Sequence, residues 1–107
     1  MSIDFTQAVT AEAKAAAAQA ALLTACQRAV DDHVEAAAKA KGYNSAAHMA
    51  SYVASTVEAW AAEATAFVAW RDAVWVAAIA MLNDVEQGVA PPPTSPAEVV
   101  ALLPPPD

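Results

Sequence analysis

Apolar positions recur at helical spacing along most of this chain, but their character changes halfway. Up to Lys41 the sequence contains neither Pro nor Gly, and it runs AEAKAAAAQAALL and then QRAVDDHVEAAAKAK. This predicts one helix of about 35 residues, roughly 50 Å long. Val9, Ala13, Ala16, Ala20, Leu23, Val30, Val34 and Ala37 trace a stripe at alternating three- and four-residue steps, with Gln27 interrupting it. That is coiled-coil spacing, but most of its members are alanine. Alanine favours helix and buries little area. Arg28 with Asp32, and Glu35 with Lys39, are i,i+4 pairs worth about 0.2–0.5 kcal/mol each. Asp4 with Gln7 has the form of a capping box, with Thr6 as a rival cap. Lys39 and Lys41 suit the helix C-terminus, and Gly42 is placed to end it in the left-handed conformation.

The second half carries the bulk. Trp60 to Leu82, WAAEATAFVAWRDAVWVAAIAML, holds all three tryptophans and Phe67. On a helix Trp60, Phe67, Val74 and Met81 share one face, broadened by Trp70 and Ala77. Val68, Trp75, Ile79 and Leu82 lie on another. A helix apolar on more than one side needs cover on more than one side. Before it, Tyr43-Asn44-Ser45 predicts a turn and a cap for a short helix, Ala46 to Ala54. Ser55-Thr56 offers a fresh cap for a long helix reaching about Gln87, closed by Gly88 and roughly 45 Å long. A continuous helix from Ser45 to Gln87 is the alternative.

After Gly88, Ala90-Pro91-Pro92-Pro93 favours extended backbone. Ser95-Pro96-Ala97-Glu98 then reads as a helix start, with a Ser cap, Pro in the first position and Glu at the third. Val99, Val100, Leu102 and Leu103 place four aliphatics on a short arm that docks on its own body or on a neighbour. The expected fold is all-α: an antiparallel hairpin of two long helices with a short connecting helix (residues 1–89) and a Pro-rich C-terminal arm with a short helix (90–107).

Composition narrows the partners. The 107 residues carry a net charge of -7, and the only cations are Lys14, Arg28, Lys39, Lys41 and Arg71. A basic footprint for nucleic acid is missing, and anionic membrane surfaces are disfavoured. No run reaches the roughly 18 uncharged apolar residues of a membrane helix, because Glu63, Arg71 and Asp72 interrupt the best candidate. MSIDFTQAV lacks the pattern of a signal peptide. The single Cys26 cannot form an intrachain disulfide, which fits a reducing compartment.

Candidate chemistry is sparse. Asp31, Asp32, His33 and Glu35 form the densest polar group, but His33 points away from the face shared by Asp31 and Glu35, so a solvated helix face is expected. His48 stands alone, and no zinc-ligand spacing occurs. His33 is two turns from Cys26, too far to activate it. Ser45, Ser51, Ser55 and Thr56 lack a nucleophile setting, and two glycines cannot build a phosphate loop. These residues predict no enzyme, no cofactor and no metal. Arg71, with Phe67 four residues before and Trp75 four after, can lay its guanidinium across an aromatic ring. Trp and Arg also anchor interfaces.

The segment KAKGYNSAAHMASYVASTVEAWAAEATAFVAWRDAVWVAA combines a Gly-Tyr-(Asp/Asn)-Ser turn, a Ser-Tyr helix and Trp-x-x-Glu-Ala-x-Ala-Phe-x-Ala-Trp-Arg-Asp-x-Val-Trp. It is carried by Gly42, Tyr43, Asn44, Ser45, Ser51, Tyr52, Trp60, Glu63, Ala64, Ala66, Phe67, Ala69, Trp70, Arg71, Asp72, Val74 and Trp75. This pattern resembles small tail-fibre-associated and tail-fibre-assembly proteins of tailed bacteriophages and prophages. The likeness covers about Val30 to Leu103, excludes the alanine-rich start, and departs at Val57-Glu58, where an Asn-Pro break is the family pattern. It implies a virion or assembly protein that binds the phage tail fibre, as assembly chaperone or retained subunit. It also implies a homo-oligomer, a trimer by analogy with tail symmetry, located in the host cytoplasm during assembly or in the virion tail. The expected contacts are Trp60, Phe67, Trp70, Arg71 and Trp75, with Val99, Leu102 and Leu103 on the arm. The alternative is a self-associating helical adaptor or regulator acting on a host partner.

Overall fold

The computed structural model describes residues 5–106, with side chains from residue 10 onward. It is all-α, with no strand among the described residues. Helix α1 spans Phe5–Ala40. Helix α2, Ala46–Ala50, continues into a 3₁₀ turn, Ser51–Ala54. Helix α3 spans Glu58–Glu86 and helix α4 Pro96–Ala101. The proposed Asp4 cap lies outside the described residues.

Local chemistry explains the boundaries. Gly42 and Gly88 both adopt positive φ, 94° and 73°. Each makes the same paired closure of the helix before it. Gly42 N–H donates to Lys39 C=O and Tyr43 N–H to Ala38 C=O; Gly88 N–H donates to Val85 C=O and Val89 N–H to Asp84 C=O. These are Schellman ends, in which orphan carbonyls of the last turn find donors. Ser45 and Ser95 cap α2 and α4 by accepting the amides of His48 and Glu98.

The break between the short and the long helix falls at the expected place, and the alternative of one helix from Ser45 to Gln87 is not realised: Ser55 and Val57 are extended, and α3 begins at Glu58. One boundary expectation changes: Ser55-Thr56 does not cap α3. The Ser55 hydroxyl accepts the Val57 amide two residues on, and Val57, which has no side-chain acceptor, occupies the cap position. The i,i+4 ion pairs of α1 are also absent. Arg71–Asp72 is the ion pair among the described residues, and Glu35 instead accepts the Ala46 amide at 3.1 Å. That bond satisfies an orphan donor at the start of α2 and ties α2 to α1.

The core is one cluster: Cys26, Val30, Val34 and Ala38 from α1, Ala46 and Met49 from α2, Phe67, Trp70, Val74 and Ala78 from α3, and Val99 and Leu103 from the C-terminal segment. The α1 stripe that it uses steps by four, through Cys26, Val30, Val34 and Ala38, with Leu22 half-covered before it. It shares Val30 and Val34 with the stripe read from sequence. Ala13, Ala16 and Ala20 of the expected stripe are exposed.

All residues from 10 to 21 are exposed. Over half of α1 packs on the rest of the chain, and the remainder projects beyond it. The molecule measures 76 × 26 × 20 Å with a radius of gyration of 19.2 Å. A compact chain of this length would have a radius near about 13 Å.

Candidate functional site

Eight residues were expected to meet a partner, and the fold divides them. Phe67, Trp70, Val99 and Leu103 are buried in the chain's own core. The Trp70 indole N–H donates to Pro104 C=O at 3.0 Å. Its ring meets His33 edge-on at 5.5 Å and Phe67 at 5.9 Å. Trp70 therefore holds the C-terminal segment to α3 and touches α1 at once. Val99 and Leu103 complete that docking, so these four side chains have no free surface to offer.

Trp60 and Leu102 point outward, 51% and 68% exposed. Val76 and Ile79 on α3 are exposed to a similar degree, and Val53 and Val57 somewhat less. Arg71 turns to its neighbour, its Nε and Nη2 donating to Asp72 Oδ1 at 3.1 and 3.0 Å. Trp75 is half-buried beside the core.

Helix α3 is long and apolar enough to cross a membrane by length and composition, in contrast to the reading from charge interruptions. Only 17% of its most apolar eighteen residues are buried. One face therefore serves the core, and the rest is uncovered.

Around Trp60 the rings form a chain. Tyr52 meets Trp60 at 5.8 Å, His48 at 5.3 Å and Tyr43 at 5.6 Å. Asn44 N–H donates to His48 Nδ1 at 3.3 Å, so Nε2 carries the proton and faces the Tyr52 hydroxyl at 3.2 Å. Burial, and then the hydrogen bond to Glu63 and the charge on it, push the Tyr43 phenol up from its ordinary range. The ring chain thus braces the corner between α1 and α3 and presents the Trp60 edge of that corner to solvent.

An apolar cavity of about 360 Å³ lies at the other end of the core. Its walls come from α1 (Cys26, Gln27, Val30), α3 (Trp75 to Val85) and the segment from Ala90 to Leu102. The volume falls within the range of ordinary ligand pockets. Three polar side chains border it: Gln27, Asp84 and Glu98. The Cys26 thiol is pushed up by burial, then by the charge of Glu98. That disfavours the reactive thiolate. Glu98 accepts the Thr94 hydroxyl and amide, which hold its carboxyl below the ordinary range.

Sequence reasoning missed two features. The Glu35 bond to Ala46 joins residues eleven apart on different elements, and no local pattern signals it. The cavity depends on how three segments meet, although the triple proline that keeps the last one extended was visible. No group of three His, Cys, Asp or Glu side chains suited to a metal occurs among the described residues. No protein-family model, curated protein or solved structure matches this chain.

Proposed function

We propose that this is a non-enzymatic helical binding protein, that α1 and α3 form an antiparallel hairpin with the Pro-rich segment folded back as an arm, and that its partner is a phage tail fibre. The protein would act as assembly chaperone or as retained subunit. The observation that carries the binding role is the uncovered apolar surface: Trp60, Val76, Ile79 and Leu102 stay in solvent although the core is already satisfied by other side chains. Tryptophan is among the residue types most enriched in hot spots, and exposed apolar side chains mark interaction surfaces. The fibre as partner rests on the aromatic motif alone.

Coexpression with the fibre of the same phage tests this. Capture of the fibre through this protein, lost in Trp60→Ala and retained in Lys14→Ala, supports the reading. Separate elution, with fibre solubility unchanged when this protein is omitted, refutes it.

A second reading, a self-associating adaptor that acts on a host protein, is favoured by the bare half of α1. Capture of a host protein in preference to the fibre would select it.

A further inference from the structure

The apolar cavity and part of the uncovered surface are one continuous feature, because Ile79 and Leu102 line the cavity and are each more than half exposed. On α3 the cavity is lined by Trp75, Ala78, Ile79, Leu82 and Val85. These follow steps of three and four residues and make a stripe about 15 Å long at the helical rise. A second wall is the segment after Gly88, with Ala90, Pro91 and Pro93.

The charges on this feature have one sign. Asp84 on α3 and Glu98 on α4 border the cavity, and no lysine or arginine does. Arg71–Asp72 is the ion pair among the described residues, so no cation of the described chain pairs with either carboxylate. The Thr94 hydroxyl and amide donate to Glu98, which favours its ionised form.

We propose that the cavity seats a short amphipathic helix of a partner protein, which places an apolar anchor in the cavity and lysine or arginine against Asp84 and Glu98. This deepens the binding role given above and rests on it, but it does not depend on the partner's being a fibre.

Shape and charge choose this occupant. A small molecule held within about 360 Å³ would leave the exposed sides of Ile79 and Leu102 bare, whereas a chain segment covers both. Prolines offer no backbone N–H, so an extended strand would find few ladder partners on the second wall. A helix satisfies its own backbone and lays an apolar face into a groove. The stripe on α3 matches about three turns of it. Lysine and arginine stems can lie along apolar lips while their heads reach the carboxylates. A second copy of this chain, with twelve acidic residues against five basic ones, matches those carboxylates poorly.

The probe is a dye-labelled peptide of about eleven residues, three helical turns, with leucines at three- and four-residue steps and lysine at both ends. A control peptide has glutamate in place of lysine. Fluorescence anisotropy against the full chain is expected to show the lysine peptide binding about tenfold more tightly. Ala90→Phe, which fills the cavity, is expected to weaken it by at least that factor. Asp84→Asn with Glu98→Gln is expected to level the two peptides. Asp31→Asn with Asp32→Asn removes the same charge from the exposed side of α1 and is expected to leave the discrimination intact. Circular dichroism checks each variant, and Asp84→Asn alone, at an exposed position, carries the test where a double variant misfolds.

Equal binding of the two peptides, or equal loss from the two carboxylate pairs, overturns the proposal. So does hexylamine binding as tightly as the lysine peptide, which would assign the cavity to a small amine, or a dimer that Ala90→Phe abolishes, which would assign it to a second copy. Fibre capture separates the two readings. Capture lost in Trp60→Ala but indifferent to Ala90→Phe and to the Asp84–Glu98 pair keeps the fibre reading and overturns this one; peptide discrimination without fibre capture does the reverse.

Discussion

Replacing Trp70 separates the indole that holds the fold together from the one that is offered outward. Trp70 is 8% exposed and Trp60 51%. Trp70→Ala removes a ring that touches His33, Phe67 and the C-terminal segment, and a large aromatic-to-alanine change in a core costs about 3–5 kcal/mol. Trp70→Phe keeps most of the ring but deletes the bond to Pro104 C=O. Pro104 is half-buried, so its carbonyl can turn to water. The lost bond then costs about 0.5–1.5 kcal/mol rather than the full penalty of an orphaned group. Trp60→Ala forfeits chiefly the edge contact with Tyr52, worth about 0.5–1.5 kcal/mol. At about 4–8 °C per kcal/mol for a domain near this size, thermal unfolding followed by circular dichroism separates Trp70→Ala from the other two. The expected order of stability loss is Trp70→Ala, well ahead of Trp70→Phe and Trp60→Ala. If Trp60→Ala proves as damaging as Trp70→Ala in the isolated protein, the division of the tryptophans is wrong.

Other outcomes follow from single contacts. Glu35→Ala leaves the Ala46 amide without its acceptor and is expected to cost about 1 kcal/mol, within the range of lost helix caps; urea unfolding reads it, and Glu35→Gln should recover part of the loss. Glu98 has its pKa lowered in the folded chain by Thr94, so its contribution is present above the ordinary carboxylate range and is lost as pH falls through the folded value. Protection of the Thr94 amide, taken relative to its intrinsic exchange rate at each pH, should therefore fall on acidification below that range, and Glu98→Gln should remove the dependence. Flotation with vesicles of anionic lipid should leave the protein unbound, because its net charge repels that surface; co-flotation would assign the uncovered face of α3 to a bilayer.

Helix ends were legible because they are local. Gly42, Gly88 and Ser95-Pro96 each announce a boundary through backbone geometry that depends on a few neighbours, and the fold places boundaries there. The α1 stripe was legible only in part, at Val30, Val34 and Ala37, for the opposite reason. Alanine on every side gives no contrast between faces, so the facing side is set by where α3 and the C-terminal segment lie, not by α1 itself. The same limit governs the candidate contacts. Trp60 and Trp70 look alike in sequence, and only the position of Pro104 and His33 decides which indole is enclosed. Val99 and Leu103 were recognisable as docking residues, but the choice between own body and neighbour needed the tertiary arrangement.

Three indoles in three settings make this chain its own spectroscopic instrument. Trp75 borders the apolar chamber, Trp70 sits among packed neighbours, and Trp60 is exposed. Keeping one tryptophan at a time would give emission that answers separately to a guest in the chamber, to loosening of the interior, and to arrival of a companion at the far corner.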